Sequence, residues 1–363
     1  MKILITGNMG YVGPRLIDRL RASYPDATLV GFDMGYFAHC LTGAEAFPER
    51  WLAAQHFGDV RRIGPESLQD VHAIVHLAAI SNDPMGNAYE DVTADINQAA
   101  SVRLARLAKQ AGVKRFVFAS SCSIYGFAEG GARREDDTLN PLTAYARSKV
   151  GTENGIGELA DDDFVVTALR FATACGMSER LRLDLVLNDF VAGAIAAKEI
   201  AILSDGTPWR PLIHVDDMAR ALDWAIGRDA GNGGAYVAVN AGANEWNYQV
   251  HELAEAVARA VPGVRVTINR EAPPDKRSYR VNFDLYARLA PRHQPQIGLR
   301  EAIQDLKDGL ERMSFHNANF RQSPYVRLRV LSALRARELL NENLEWAVPT
   351  MMPMMKPVRE GVA

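Results

Sequence analysis

The first half of the chain alternates short β-branched and aromatic runs with longer segments whose apolar positions recur at helical spacing. Strands are predicted at Lys2–Thr6, Thr28–Phe32, Ala73–Leu77, Arg115–Ala119 and Phe164–Leu169, and helices at Tyr11–Tyr24, Ala94–Ala111 and Tyr145–Leu159. Short strands separated by helices of several turns indicate crossover βαβ units and a parallel sheet covered on both faces. Phe116–Ala119 is apolar throughout, as such a strand must be. Beyond residue 170 the pattern loosens. Helical segments at Leu185–Lys198, Val215–Ile226, Val250–Ala260 and Leu299–Arg312 alternate with short strands at Tyr236–Asn240 and Arg265–Ile268. We expect a smaller α+β lobe there, interleaved with the end of the first domain. Ser323–Asn341 reads as an arginine-rich helix (Arg327, Arg329, Arg335, Arg337), expected to be solvated or to pack between subunits. Met351–Pro357 reads as a loose tail, because its two prolines exclude regular structure.

Composition narrows the class without naming it. With 363 residues, 48% hydrophobic and 23% charged, the chain is too apolar for wholesale disorder. The 41 Lys and Arg against 44 Asp and Glu leave a net charge of −3, so no nucleic-acid or membrane partner is expected. No apolar run approaches the roughly 18 residues that span a bilayer. The N-terminus passes from one lysine into a strand-like run and then glycines, unlike a signal peptide. Cys40, Cys122 and Cys175 are far apart, with neither disulfide nor metal-ligand spacing. A cytoplasmic location and no metal are the expectations.

Gly7, Gly10 and Gly13 fall directly after the first strand and at the start of the first helix. Glycine permits the tight turn, the approach of backbone N–H groups to a pyrophosphate, and close packing of helix on strand. The helix N-terminus adds partial positive charge. The second strand ends in Gly31-Phe32-Asp33, where a carboxylate can accept hydrogen bonds from an adenosine ribose. The same carboxylate repels a 2′-phosphate, which favours NAD over NADP. These features place a Rossmann-type doubly wound parallel sheet, binding NAD, in residues 1–170, with segments around 201–235 returning to it. Residues 171–312 would be mainly a smaller α+β substrate-binding lobe, and 313–363 a helical extension and tail.

Tyr145 and Lys149 stand at i and i+4 of the YARSK run, on one helix face. A free phenol titrates near pH ~10 and is a poor base at neutrality. A lysine cation and a positive nicotinamide ring would favour its phenolate. The polar loop Ser120–Gly126 offers a serine to the same hydroxyl that such a phenolate would deprotonate. With these motifs in order, the chain resembles the extended short-chain dehydrogenase/reductase family, in particular its NAD-dependent nucleotide-sugar epimerases and dehydratases. The resemblance runs from residue 1 to about 312, through TGNMGYVG (Thr6–Gly13), GDV (Gly58–Val60), HLAA (His76–Ala79), Asn97, SSCSIYG (Ser120–Gly126), LRFATACG (Leu169–Gly176), Asn188 and Asp205–Asp217.

The resemblance implies Ser121, Tyr145 and Lys149 as the catalytic triad. It implies cofactor contacts at Gly7, Met9, Gly10, Tyr11, Val12, Gly13, Asp33, Asp59, Val60, Leu77, Ala78, Ala79, Ser81, Asn97, Ala119, Ser120 and Phe171. It implies substrate contacts at Ser81, Asn82, Ser121, Cys122, Ser123, Thr173, Asn188 and Arg210, with Arg277 as a further phosphate arm. His214 is expected to support the site. A nucleotide-diphosphate sugar is the implied partner, and a homodimer through Ala94–Ala111 and Tyr145–Leu159 the implied assembly. The family's 4,6-dehydratases carry acidic residues, and its decarboxylases a glutamate, in the loop where this chain has Cys122 and Ser123. A hydride shuttle without elimination, as in a 4-epimerase, is therefore the expected chemistry. A 4-reductase or 4-dehydrogenase, a 4,6-dehydratase and a non-catalytic dinucleotide sensor are the alternatives. Thr173 stands where UDP-galactose 4-epimerases usually have asparagine, and Ser81 where they have lysine, so the sugar and base stay open.

Overall fold

The computed structural model describes residues 1–128, 130–272 and 277–347. Strand and helix alternate from the N-terminus as β1 (Lys2–Thr6), α1 (Gly13–Ser23), β2 (Thr28–Asp33), β3 (Ala54–Phe57) and β4 (Ala73–His76). They continue through α2 (Asp83–Ala88), α3 (Glu90–Thr93), α4 (Ala100–Gln110), β5 (Arg115–Ser121), α5 (Ala144–Gly157) and β6 (Val165–Phe171). The second half adds β7 (Thr173–Cys175), α6 (Val186–Ala196), β8 (Glu199–Ile202), β9 (Trp209–His214), α7 (Val215–Gly227) and β10 (Tyr236–Ala241). Then follow β11 (Asn247–Gln249), α8 (Val250–Ala260), β12 (Arg265–Ile268), α9 (Asp284–Leu289), α10 (Leu299–Arg312) and α11 (Arg327–Ala336).

Seven strands form one parallel sheet in the order β10-β6-β5-β4-β1-β2-β3, a doubly wound Rossmann-type α/β architecture as expected. The order reverses at β1, so loops at the carboxyl ends of β1 and β4 open a crevice there. Alternation along β1 divides the core. Ile3 and Ile5 pack with α1 and α7 residues such as Leu16 and Leu222, while Leu4 faces Leu104 of α4 and Ile156 of α5. A third cluster, including Leu187, Ile200, Leu253 and Leu306, builds the smaller lobe from α6, α8 and α10. That lobe carries the β11-β9-β7 and β12-β8 sheets.

Several boundaries differ from the sequence reading for local reasons. β3 was not anticipated: Gln55 and His56 interrupt its apolar pattern, and it lies at the sheet edge where burial is least. The helix expected over 94–111 opens as a π-helical turn at Ala94–Ala99 before becoming α4. The segment that rejoins the main sheet runs from α7 to β10, where the sequence placed the return around 201–235; β8 and β9 pair in the smaller sheets instead.

The arginine-rich helix corrects an expectation. It is not merely solvated: Val330, Leu331 and Leu334, with Leu340 and Leu344 beyond them, join the cluster that holds Phe32, Tyr36, Ile80 and Met85. Arg327 is buried while Arg329, Arg335 and Arg337 stay exposed. Tyr36 donates its hydroxyl to the Leu344 carbonyl, and the Trp346 indole donates to the Met34 carbonyl at 2.7 Å. Met351–Pro357 lies outside the described residues.

Candidate active site

The turn after β1 is built for close approach. Gly7 has φ +76°, and a Cβ there would overlap the backbone nitrogen of Ala78. A Cβ on Gly13 would likewise strike the Asn8 carbonyl, so the helix start lies directly on the turn. Within the turn, the Gly10 N–H bonds the Gly7 carbonyl and the Met9 N–H bonds Asp33 Oδ2 at 3.0 Å. The N–H groups of Tyr11 and Val12 meet no acceptor among the described residues, and Val12 gives α1 no side-chain cap. An open helix N-terminus beside a glycine turn fits a pyrophosphate. Asp33 also accepts from the Gly35 N–H at 2.7 Å. Burial pushes its carboxyl up, and the two N–H donors oppose that rise. Each of its oxygens keeps lone-pair capacity for a ribose hydroxyl.

One cleft of about 1100 Å³ joins this turn to the end of β5 and to the smaller lobe. Ser121 ends β5, and Tyr145 and Lys149 share the face of α5 that looks into the cleft. α5 starts there because Thr143 caps it, accepting from the Ala146 N–H at 3.1 Å and donating to Asp83 at 2.7 Å. Burial pushes the Tyr145 phenol up to about 12, against a lowering hydrogen bond from Ser121. Lys149 Nζ donates to the Ala119 carbonyl at 2.7 Å and lies 5.4 Å from the Tyr145 ring centre. Burial pulls its ammonium down to about 7, against the nearby Glu153 carboxylate. Behind the triad, Glu153 pairs with Arg170 at 2.7 Å and accepts from the Ser120 hydroxyl.

Most expected site residues meet on this cleft. Its walls include Gly7, Gly10, Tyr11, Val12, Asp33, Asp59, Val60, Leu77, Ala78, Ala79, Ser81, Ala119, Ser120 and Phe171 on the dinucleotide side. Asn82, Ser121, Ser123, Tyr145, Lys149, Thr173, Arg210 and Arg277 line it as well. Ser123 Oγ is buried with no hydrogen-bond partner among the described residues, a hydroxyl left for a ligand. Arg277 bonds Asp83 at 3.0 Å, and Arg210 donates to the Arg277 carbonyl, so the two arginines form one wall. Asp275 and Lys276, which precede Arg277 in the sequence, lie outside the described residues.

Five of the expected residues are not among those that line the cleft. Met9 and Gly13 shape the turn from behind. Asn97 bonds both backbone groups of Ile80, at 2.8 and 3.0 Å, and so braces the loop after β4. Asn188 is fully buried, accepting from the Gly176 N–H at 3.0 Å and donating to the Arg182 carbonyl at 2.8 Å. Cys122 is buried against the Arg170 carbonyl at 3.1 Å, and burial pushes its thiol well above the ordinary range. His214 ends β9 and caps α7 by accepting from the Asp216 N–H at 3.2 Å, and it bonds Asp305 at 3.1 Å.

Sequence reasoning missed Arg182. It lines the cleft between Ser81, to which it donates at 3.0 Å, and Asp184, which it bonds at 2.9 and 3.1 Å. Burial opposes its charge, but the Asp184 carboxylate beside it leaves the guanidinium more basic than usual. Its positive charge is felt at Tyr145, where it favours the phenolate. The RLRLD run around it looks like any surface charge pattern, and only folding brings it across from Tyr145.

A parallel sheet with a glycine turn at its crevice, and a Tyr–Lys pair on the helix facing it, defines a dinucleotide-dependent enzyme of the short-chain dehydrogenase/reductase type. The family model described as the NAD dependent epimerase/dehydratase family matches residues 3–242. The chain belongs to that family, and its cofactor is NAD. UDP-glucuronic acid decarboxylase 6 of Arabidopsis thaliana is 24% identical over 312 residues, covering 84% of this chain and 87% of that protein. The solved structure of MoeE5 in complex with UDP-glucuronic acid and NAD is 26% identical with a TM-score of 0.72, covering 86% of this chain and 99% of MoeE5. TunA, an NAD-dependent NDP-hexosamine 5,6-dehydratase of tunicamycin biosynthesis, is 24% identical with a TM-score of 0.75, covering 88% of this chain and 99% of its own. Among the described residues no helix is long and apolar enough to cross a membrane, and no group of His, Cys, Asp or Glu could hold a metal ion.

Proposed function

We propose that the chain is a nucleotide-sugar 4-epimerase whose NAD stays bound through the cycle. One observation carries this reading: the loop after β5 presents hydroxyls to the cleft where elimination would need an acid. Ser121 and Ser123 line the cavity, while Cys122 is turned into the core, where burial pushes its thiol well above the ordinary range. Bound NAD supplies the hydride acceptor and, on the return, the hydride donor. Tyr145 accepts the proton of the C4 hydroxyl, Ser121 holds that hydroxyl, and Lys149 with Arg182 lowers the cost of the phenolate. In the protein alone the phenol sits near 12 and Lys149 near 7, so proton removal gains from the added positive charge of a nicotinamide in the filled cleft.

Residues 1–170 with the returning strand act as the NAD-binding lobe, and 171–312 mainly as the sugar-nucleotide lobe. The two relatives named for UDP-glucuronic acid, together with Arg182 in the cleft, make UDP-glucuronic acid the first substrate to test. Incubation of the protein with UDP-, GDP-, CDP- and dTDP-sugars, read by NMR and mass spectrometry, tests the reading. A changed C4 configuration at unchanged mass supports it; loss of water or carbon dioxide, or gain of hydrogen, replaces it.

A further inference from the structure

The start of α11 breaks each local rule for a helix N-terminus. Its N-cap is Val326, which offers no side-chain acceptor, and its first turn holds no acidic residue. It holds two cations instead, Arg327 and Arg329, at the end where the helix dipole already places positive charge. The N–H groups of Arg327 and Leu328 meet no acceptor among the described residues. Arg327 is 2% exposed, yet among the described residues it makes no direct ion pair with a carboxylate. It donates to the carbonyls of Pro324, Arg180 and Leu181, at 3.0, 2.7 and 3.2 Å, and lies 5.0 Å from the Phe37 ring centre. Its Nε is buried with no hydrogen-bond partner among the described residues. Burial pulls the guanidinium down to about 10; Arg182 and Arg180 press the same way, against Cys40 and the Asp184 carboxylate. An uncompensated buried cation on an uncapped helix start is costly unless an anion completes it.

That helix start opens into the same cleft as the glycine turn: Val326, Arg327, Leu328 and Arg329 all line it. Arg182 and Arg321 nearby are each held by a carboxylate, Asp184 and Asp189, which leaves Arg327 and Arg329 as the surplus. We propose that the N-terminus of α11 is a phosphate-binding site in the cleft wall, with Arg327 and Arg329 as its cations and the diphosphate of a cleft ligand as its anion. The diphosphate belongs either to the dinucleotide or to the sugar nucleotide. The assignment rests on the reading of the cleft as an NAD and nucleotide-sugar site. It gives the segment beyond the matched family region a binding role.

The test uses the full chain and its Arg329→Ala, Arg329→Glu and Arg329→Lys variants, since Arg329 is exposed and its replacement spares the core. After co-purified NAD has been removed, NAD and UDP are titrated separately by calorimetry at low and moderate salt, with thermal melting as a check on folding. Loss of a charge-assisted phosphate contact predicts about tenfold or more weaker binding in Arg329→Glu, a shallower salt dependence in Arg329→Ala, and recovery in Arg329→Lys. Weakening confined to NAD assigns the site to the dinucleotide, and weakening confined to UDP assigns it to the sugar nucleotide. Binding of both probes within twofold of the parent in all three variants overturns the proposal. A parent that binds NAD but not UDP sinks the sugar-nucleotide reading while the NAD arm still decides this one; a parent that binds neither sinks both.

Discussion

At the scale of single residues the site turns on protonation states that burial has moved. Tyr145 is a phenol displaced away from neutrality, and Lys149 an ammonium displaced toward it. Replacing Tyr145 with Phe removes the proton acceptor and no packing volume of consequence. Turnover should fall by about 10²–10⁴-fold while NAD remains bound, as measured by product NMR and by cofactor absorbance of the purified protein. For Lys149 the sign follows from its lowered value near 7. The charged form dominates below that pH and suits an anionic dinucleotide, so NAD affinity should decline as pH rises through 7, by up to about tenfold per unit. A Lys149→Met variant should show weaker binding with a flat profile between pH 6 and 9. A slope that survives the substitution would assign the titration to another group.

Among elements, the turn between β1 and α1 and the start of helix α11 both line the cleft. Gly7→Ala adds one methyl where the Ala78 backbone already stands, at a φ that side chains rarely adopt. The purified variant should carry little or no NAD while its far-ultraviolet circular dichroism stays native. In α11, Leu331 is fully buried against the first lobe. Leu331→Ala should cost about 2–5 kcal/mol of stability in denaturant titration. An effect near zero would mean that the extension is not docked as described.

For the molecule as a whole, the two lobes must meet for the cleft to exist, since Gly7 and Tyr145 come from one and Arg210 and Arg277 from the other. We retain the homodimer through the segment 94–111 and α5 as a proposal; light scattering should then give twice the chain mass of 39.9 kDa. A monomer would reject it. On the outer face of α4, Lys109 already pairs with Asp161 at 2.7 Å and Arg103 donates to the Ile63 carbonyl, so Arg106 is the exposed cation that would have to find an acidic partner in that interface.

The main strands, the glycine turn, Asp33 and the Tyr145–Lys149 pair were legible because each depends on residues close in sequence. Period-two and helical apolar patterns, a backbone that needs glycine, and an i, i+4 spacing are all local constraints. Strand β3 escaped because an edge strand needs little hydrophobic pattern. Cys122 and Asn188 could not be placed, because whether a side chain faces the cleft or the core depends on what packs against it. Arg182 was invisible for the same reason: nothing near it in sequence links it to Tyr145. The fate of the last described helix was a tertiary decision as well. Its sequence determined that it carries arginines, but only the docking of Leu331 and Leu344 on the first lobe turned its uncapped end toward the cleft, because contacts between distant segments decide where a charge can find its partner.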